Sequence, residues 1–426
     1  MQAKKLLRVV IATALTVTAT VVTTPVASAQ QQCAPAGGDI RAVPWEQRLL
    51  APERVWPMTT GAGQRIAVIS TGVGENPLLR GKVADQVDLA PVPQGQQQQS
   101  GRPDCLGIGT GVAGVIAAGG AGGVGFHGVA PNARVLAAKV VGDRFPDGLV
   151  PALAVTPDTL ASAVNWAVDR GATVIAVPTI AYTGSDALLA AVRRALAANI
   201  VVVAATGEVG TNDPATAVPY PASYDGVIGV GSIGQDGLAT QVSRPQGVDL
   251  VAPGDTLMTT YPDSGLGLAA GSAFAAGYVA GVAALVRAYR PELSNEDVAR
   301  RMRTTATPAP EGTGSTRYGY GVVNPYAAVL DTVAAGDPRD LPAFTPSTVS
   351  AEEKSRQAAE SRADNLATTL AAGGIALAAL LAGIVAFGPR GRRRNWRSGL
   401  APMPEDRPES ERPEPPVELF ADRSGN

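Results

Sequence analysis

The sequence predicts an α/β domain with a mostly parallel sheet, followed by a single transmembrane helix near its C-terminus. Of its 426 residues, 45% are hydrophobic, which is enough for a folded core and too many for a disordered chain. Between Arg65 and Leu330, short β-branched segments alternate with longer amphipathic ones. This alternation is typical of parallel strands joined by crossover helices. A second feature, an uncharged run over 366–387, is long enough to cross a membrane.

The central region contains six predicted strands and five predicted helices. The strands are expected at 65–69, 134–141, 172–177, 199–204, 226–231 and 248–251. The helices are expected at 110–118, 159–170, 187–198, 272–289 and 295–305. Since crossover helices cover a parallel sheet, we expect both of its faces to be buried.

The N-terminus has the features of a secretory signal peptide. Lys4, Lys5 and Arg8 precede an uncharged run over 9–22, and the small residues Ala27-Ser28-Ala29 follow it. We predict a signal peptide over 1–29, a mature start at Gln30 and an N-terminal extension over 30–60. An N-terminal membrane anchor is the alternative, although the run is short for a hydrocarbon core of about 30 Å.

The C-terminus predicts a single-pass topology in the cell membrane. The 22 uncharged residues over 366–387 span about 33 Å as a helix. Arginines follow directly, and positive residues remain on the cytoplasmic side. The main domain is therefore expected to be extracytoplasmic. A linker over 336–365 precedes the span, and a disordered, proline-rich cytoplasmic tail over 388–426 follows it.

Charge and cysteine content narrow the candidate partners. The 35 basic and 37 acidic side chains provide no basic field, so nucleic acid is not an expected partner. No dense cluster of oxygen ligands is evident, and we predict no metal or cofactor. Cys33 and Cys105 are the only cysteines. In an exported domain they are expected to form a disulfide, the alternative being two unpaired buried thiols.

Six sequence blocks, in order, carry a family resemblance. They lie at 65–73, 107–114, 128–133, 248–254, 271–276 and 319–324, after an opening segment at 44–56. Together they resemble the subtilisin-like serine proteases of peptidase family S8, and among these the membrane-anchored mycosins of type VII secretion. The resemblance implies a subtilisin-like three-layer α/β/α domain over 61–335. It also implies association with the subunits of a type VII secretion membrane complex.

The residues that carry the chemistry in this family are replaced. The aspartate that orients the catalytic imidazole corresponds to Ser70, and the histidine itself to Ile108. The nucleophilic serine corresponds to Ala273. The asparagine that stabilises the oxyanion corresponds to Glu208, whose charge would oppose the transition state. An exposed loop carboxylate without a role is the alternative interpretation of Glu208. The resemblance therefore predicts a pseudoprotease without catalytic residues.

Two other functions remain open from the sequence. An active serine endopeptidase would have to use unconventional residues, of which Ser272 and the single histidine, His127, are the candidates. A peptide-binding decoy would engage substrates without cutting them. Pro178 and Ile180 argue against a decoy, because they fall where the family pairs its substrate as an added strand and proline has no N–H to donate.

Overall fold

The computed structural model describes residues 33–38, 40–91, 103–120, 125–142, 155–209 and 217–333, with the single positions 362, 373 and 374. The chain divides into two compact units, Met1–Phe344 and Thr345–Asn426. The three single positions are helical and belong to the second unit. The predicted signal peptide and cytoplasmic tail lie outside the described residues. The same holds for nearly all of the predicted linker and transmembrane helix.

Nine strands and seven α-helices make up the described part of the first unit. The strands are β1 (Arg65–Ser70), β2 (Val83–Asp88), β3 (Arg134–Lys139), β4 (Val174–Val177), β5 (Val201–Ala205), β6 (Ile228–Ile233), β7 (Leu250–Pro253), β8 (Leu257–Thr260) and β9 (Leu266–Ala269). The helices are α1 (Trp45–Leu50), α2 (Ile108–Ala117), α3 (Pro157–Asp169), α4 (Asp186–Ala197), α5 (Ser272–Tyr289), α6 (Asn295–Thr304) and α7 (Pro325–Leu330).

Seven parallel strands form the central sheet, in the order β2-β3-β1-β4-β5-β6-β7. Strands β8 and β9 form a separate antiparallel hairpin. This arrangement confirms the predicted α/β fold with a mostly parallel sheet. All six predicted strands are present, with ends that differ by a few residues. Strand β2 is not among the predicted strands, because it is an edge strand whose residues alternate between partly buried and exposed.

Helices cover both faces of the sheet, as predicted. Ile66 and Val68 of β1 belong to a core cluster with α2 and α5, whereas Ala67 and Ile69 belong to a second cluster with α3 and α4. This alternation follows from the two-residue period of a strand. Helix α5 is long and apolar enough to cross a membrane, but 83% of that stretch is buried inside the domain. It is the central helix of one layer.

The helices begin in two different ways. Four of them have a polar N-cap whose side chain accepts a hydrogen bond from the first turn: Thr156 for α3, Ser185 for α4, Ser294 for α6 and Asn324 for α7. Helices α2 and α5 instead follow Gly107 and Gly271, which offer no side-chain cap. The free N–H groups of these two helices therefore need acceptors from elsewhere in the chain.

The structure contains the disulfide predicted between Cys33 and Cys105, which are 72 residues apart. A backbone hydrogen bond from Ala34 to the carbonyl of Cys105 (2.8 Å) lies beside it. In the chain-entropy description, a closed loop of this length contributes about 4 kcal/mol. The N-terminal extension is thereby attached to the loop that leads into α2.

Candidate functional site

The end of β1 and the start of α2 meet at one edge of the sheet. Ser70 is the last residue of β1 and is fully buried, and its hydroxyl has no hydrogen-bond partner in the described part of the chain. Ile108 is the first residue of α2 and packs against the main core cluster. The N–H of Gly109 donates to Oγ1 of Thr71 (2.8 Å), which joins the two elements. Neither Ser70 nor Ile108 carries a charge at neutral pH.

The loop after β5 meets the start of α5 at the same edge. The N–H of Gly207 donates to Oγ of Ser272 (2.9 Å), and the N–H of Ser272 donates to Oε1 of Glu208. Gly271 has a φ of 131°, a conformation that favours glycine, and it turns the chain into the helix. Ala273, the next residue after Ser272, is buried and presents only a methyl group.

Helices α2 and α5 are packed against each other near their beginnings. A Cβ atom on Gly111 of α2 would lie 2.7 Å from Cε1 of Phe274 in α5, so glycine allows this close approach. Strands β1 and β5 lie on either side of β4 in the sheet. The structure thus brings the four positions singled out in the sequence to one edge of the sheet. They are Ser70, Ile108, Glu208 and Ala273.

Glu208 places a carboxylate at the N-terminus of α5. The first N–H groups of a helix lack intrahelical acceptors, and the helix dipole is positive there. The carboxylate therefore supplies the cap that Gly271 cannot provide. Burial raises the pKa of Glu208, while hydrogen bonds from Ser272 and the charge of Arg244 act in the opposite direction. The side chain is not an exposed loop carboxylate, because it is engaged by the helix.

Ser272 and His127, the candidates for an unconventional protease, are not brought together. The Ser272 hydroxyl is buried and accepts a hydrogen bond from Gly207. The His127 ring packs edge-on against Trp56, with 4.4 Å between ring centroids, and burial lowers its pKa. Val129, two residues after His127, contacts the position of Gly281 in α5. Gly281 lies nine residues beyond Ser272, about 13 Å along the helix.

A buried aspartate supports the start of α2, a role that the sequence patterns did not indicate. Asp104 accepts hydrogen bonds from the N–H of Gly107 (2.8 Å) and from the N–H and hydroxyl of Thr110 (2.8 and 2.6 Å). The Thr110 hydroxyl also accepts a hydrogen bond from Gly74 (2.8 Å). Burial raises the pKa of Asp104, and these hydrogen bonds oppose that rise. An aspartate three residues before the glycine that opens a helix is the sequence signal that could have indicated this cap.

The segment that resembles a substrate-pairing strand makes hydrogen bonds within the chain at Ile180 and at the next residue, Ala181. The carbonyl of Ile180 accepts a hydrogen bond from Val155 (2.8 Å), and Ala181 pairs with Tyr220 in both directions (2.8 and 2.9 Å). The Ile180 side chain is 2% exposed, and its Cδ1 atom fills the space next to Gly207. No backbone N–H is available at Pro178.

A fully buried arginine lies beneath the loop that holds Glu208. The guanidinium of Arg244 stacks on the ring of Tyr182, 4.7 Å from its centroid, and its charge acts on Glu208. The N–H of Arg244 donates to the carbonyl of Gly207 (2.9 Å). Sequence patterns did not single out Arg244, because an arginine in a polar loop is usually exposed. In the described ranges, no group of three or more His, Cys, Asp or Glu side chains could hold a metal ion.

Comparisons with known proteins agree with this geometry. The family described as the subtilase family, peptidase S8, matches residues 61–321, more than half of the chain. Subtilisin BL of Lederbergia lenta is 34% identical over 291 residues, which are 68% of this chain and 99% of that protein. A crystal structure of MycP1 from the ESX-1 type VII secretion system superposes with a TM-score of 0.60 at 27% identity, covering 74% of this chain and 93% of that one. The MycP3 protease from the type VII (ESX-3) secretion system gives a TM-score of 0.56 at 31% identity, with 70% and 91% covered.

Proposed function

The chain belongs to the subtilase family, and we propose that it is a catalytically inactive, mycosin-like member of this family. In this proposal the chain is anchored in the cell membrane and acts as a structural or regulatory component of a type VII secretion system. Its extracytoplasmic domain keeps the fold of a protease and no longer cuts peptides.

The position of the Glu208 carboxylate carries the proposal of inactivity. Acyl transfer by a serine protease requires hydrogen-bond donors where negative charge develops in the transition state. Here the N–H of Ser272 donates to Glu208 instead, at the start of the helix that would supply the nucleophile. An ionised Glu208 repels an oxyanion, and it stands where the family has an asparagine that donates. This position of the carboxylate supports the proposed inactivity.

The replacement of the base and the nucleophile agrees with this. Ala273 has no atom that can attack a carbonyl, and Ile108 has no proton to exchange. The hydroxyl of Ser272, next to Ala273, is buried and accepts a hydrogen bond from Gly207. In subtilisin, loss of the catalytic serine or histidine alone lowers turnover by about 10⁶-fold. A loss of that size would leave this chain without measurable protease activity.

The secretion role rests on the solved relatives and on the predicted ends of the chain. One neighbouring structure is described as the serine protease MycP1, an essential component of the type VII (ESX-1) secretion system, and it is 31% identical to this chain. A signal peptide over 1–29 and a membrane span over 366–387 would place the domain outside the membrane. A structural component at that location needs its folded domain and its membrane anchor, but it does not need to hydrolyse peptides.

Genetic complementation tests the proposal with the full chain. The gene is deleted in its host, and secretion of type VII substrates is measured after return of the native chain, a Ser272→Ala variant or a His127→Ala variant. We expect all three to restore secretion equally, and the tagged native chain to co-purify with other membrane subunits. Loss of secretion with both variants, at normal protein levels, would indicate catalysis by these residues and contradict the proposal.

A further inference from the structure

Residues 45–58 form a segment of the N-terminal extension that is attached to the domain at both of its ends. Before the segment, Gly38 and Leu266 of β9 exchange two backbone hydrogen bonds (2.8 Å each). After the segment, the N–H of Asn132 donates to the carbonyl of Thr60 (2.9 Å). The disulfide lies further towards the N-terminus. These attachments lie outside 45–58, so they do not depend on how the segment itself is docked.

The single histidine of the chain, His127, is contacted by this segment at two points. The side-chain amide of Gln47 donates to the carbonyl of His127. The ring of Trp56 packs edge-on against the imidazole, with 4.4 Å between ring centroids, and its Nε1 donates to the carbonyl of Val129 (3.1 Å). Helix α1 and the end of the segment thus meet on the same short loop of the domain.

The loop that carries His127 is fixed to the end of α2 by three backbone hydrogen bonds. Their donors are the N–H groups of Gly128, Val129 and Ala130, and their acceptors are the carbonyls of Ala118, Val115 and Ile116 (2.9, 2.9 and 2.8 Å). None of these bonds involves the extension. A change at the imidazole is therefore expected to move the segment above it and to leave the loop in place.

The surroundings of the imidazole favour its neutral form. Its Nδ1 atom is buried and has no hydrogen-bond partner in the described part of the chain. Burial lowers the pKa of His127 below its ordinary value of 6.5, whereas the backbone of Gly128 and the charge of Glu53 act in the opposite direction. Glu53 is exposed, so water and salt screen its charge. Protonation of the ring is thus disfavoured while the segment covers it.

The other ionisable groups of the segment are engaged elsewhere. Arg48 donates to a backbone carbonyl of the extension (3.0 Å), and Arg54 stacks on Tyr326, 4.4 Å from the ring centroid. Glu46 accepts a hydrogen bond from a backbone N–H of β8 (2.9 Å), and burial raises its pKa. Protonation of Glu46 therefore strengthens docking as the pH falls. Its effect has the opposite sign to that of His127, so the two groups can be distinguished.

We propose that His127 is an acid-sensitive latch whose protonation loosens residues 45–58 from the domain. A charged imidazole needs water, which it gains when the segment moves outwards. Leu50 and Val55 of the segment belong to the main core cluster, so the closed form remains the major one and acid raises the frequency of opening. Opening exposes the ring of Trp56, while the attachments at both ends hold the segment to the domain. The latch uses no catalytic group and does not depend on whether the chain cuts peptides.

Hydrogen–deuterium exchange of the full chain in a neutral detergent tests the proposal. Protection of residues 45–58 is measured at about pH 7.5 and about pH 5.5, with correction for the direct effect of pH on amide exchange. Helix α4, on the opposite face of the sheet, serves as the internal reference. The test variant is His127→Phe, which keeps an aromatic ring beside Trp56 and cannot become charged. A second variant, Glu53→Gln, removes the charge that favours the protonated ring.

We expect opening of the native segment to rise about threefold to tenfold at the lower pH, because the open form takes up a proton below the ordinary pKa of 6.5. Protection of α4 should not change. The rise should be absent in His127→Phe and about twofold larger in Glu53→Gln, where the closed form binds the proton still more weakly.

Three results would overturn the latch. One is an unchanged native segment at the lower pH, and another is an equal rise in the native chain and in His127→Phe. The third is an equal loss of protection in α4, which would indicate unfolding of the whole domain. Protection of α4 at the higher pH shows that each variant is folded. If His127→Phe does not fold, Glu53→Gln decides, since a rise no larger than that of the native chain would contradict the proposal.

Discussion

The contact between Ile180 and Gly207 predicts a strong energetic coupling between two positions that are distant in sequence. Gly207 has a φ of 83°, and a Cβ atom added there would overlap Cδ1 of the buried Ile180. We therefore expect Gly207→Ala to be destabilising for two independent reasons. The left-handed backbone costs about 1–2 kcal/mol for a residue with a Cβ, and overpacking adds about 1–3 kcal/mol.

The second variant, Ile180→Val, removes the one atom that the new methyl group would overlap. Alone it should cost about 0.5–1.5 kcal/mol, because it leaves a small cavity. In the double variant the alanine methyl enters that cavity, and only the backbone strain remains. The double variant should thus be more stable than the sum of the single effects by about 1–3 kcal/mol.

Urea unfolding of the full chain, followed by tryptophan fluorescence, measures the four free energies of this cycle. Ile175→Val serves as the matched control, since Ile175 is equally buried but lies in β4 between Ala67 and Val202. Its effect should add to that of Gly207→Ala within about 0.5 kcal/mol. Additivity of the Ile180 cycle would refute the inference that Ile180 fills the space beside the β5 loop.

Three further predictions follow from the buried polar groups and the disulfide. Glu208 has a raised pKa in the folded state, so its contribution to stability is full below pH 4.5 and is lost as the pH rises through the folded pKa. As the pH rises from about 4 to 8, the free energy of unfolding of Glu208→Gln should therefore increase relative to that of the native chain. A difference between the two free energies that stays constant over this pH range would contradict this. Asp104→Asn should cost about 1–3 kcal/mol in urea unfolding, because an NH2 group replaces one of the two carboxylate oxygens that accept from N–H groups. The exposed control Asp225→Asn, in a turn, should cost under about 0.5 kcal/mol. Replacing Cys33 and Cys105 together by alanine should lower the free energy of unfolding by about 4 kcal/mol, and a loss below about 1 kcal/mol would show that the closed loop contributes little.

The central strands could be predicted from the sequence because each is a short apolar run buried on both faces. Val201–Ala205 and Val174–Val177 are examples, with every residue buried. Edge and short elements gave no such signal. Strand β2 is polar at alternate positions, and α1 and α7 have only six residues each, too few to show a helical period.

The positions of the proposed site could also be located from the sequence, since Ile108 and Ala273 lie within recognisable blocks. The orientation of Glu208 could not. It depends on the positive φ of Gly207 and on the placement of the start of α5, which are set by tertiary packing. The same holds for Arg244, a loop arginine whose complete burial depends on the ring of Tyr182.

Active-site labelling decides whether this chain has the fold of a subtilase but no catalytic activity. A fluorescent serine-reactive phosphonate is applied to the native full chain and to a variant that carries Ser70→Asp, Ile108→His, Glu208→Asn and Ala273→Ser. We predict no labelling of the native chain and labelling of the variant, prevented when Ala273 is left unchanged. Labelling of the native chain would contradict the proposed inactivity, and silence of the fully substituted variant would contradict the inference that the geometry of the site is preserved.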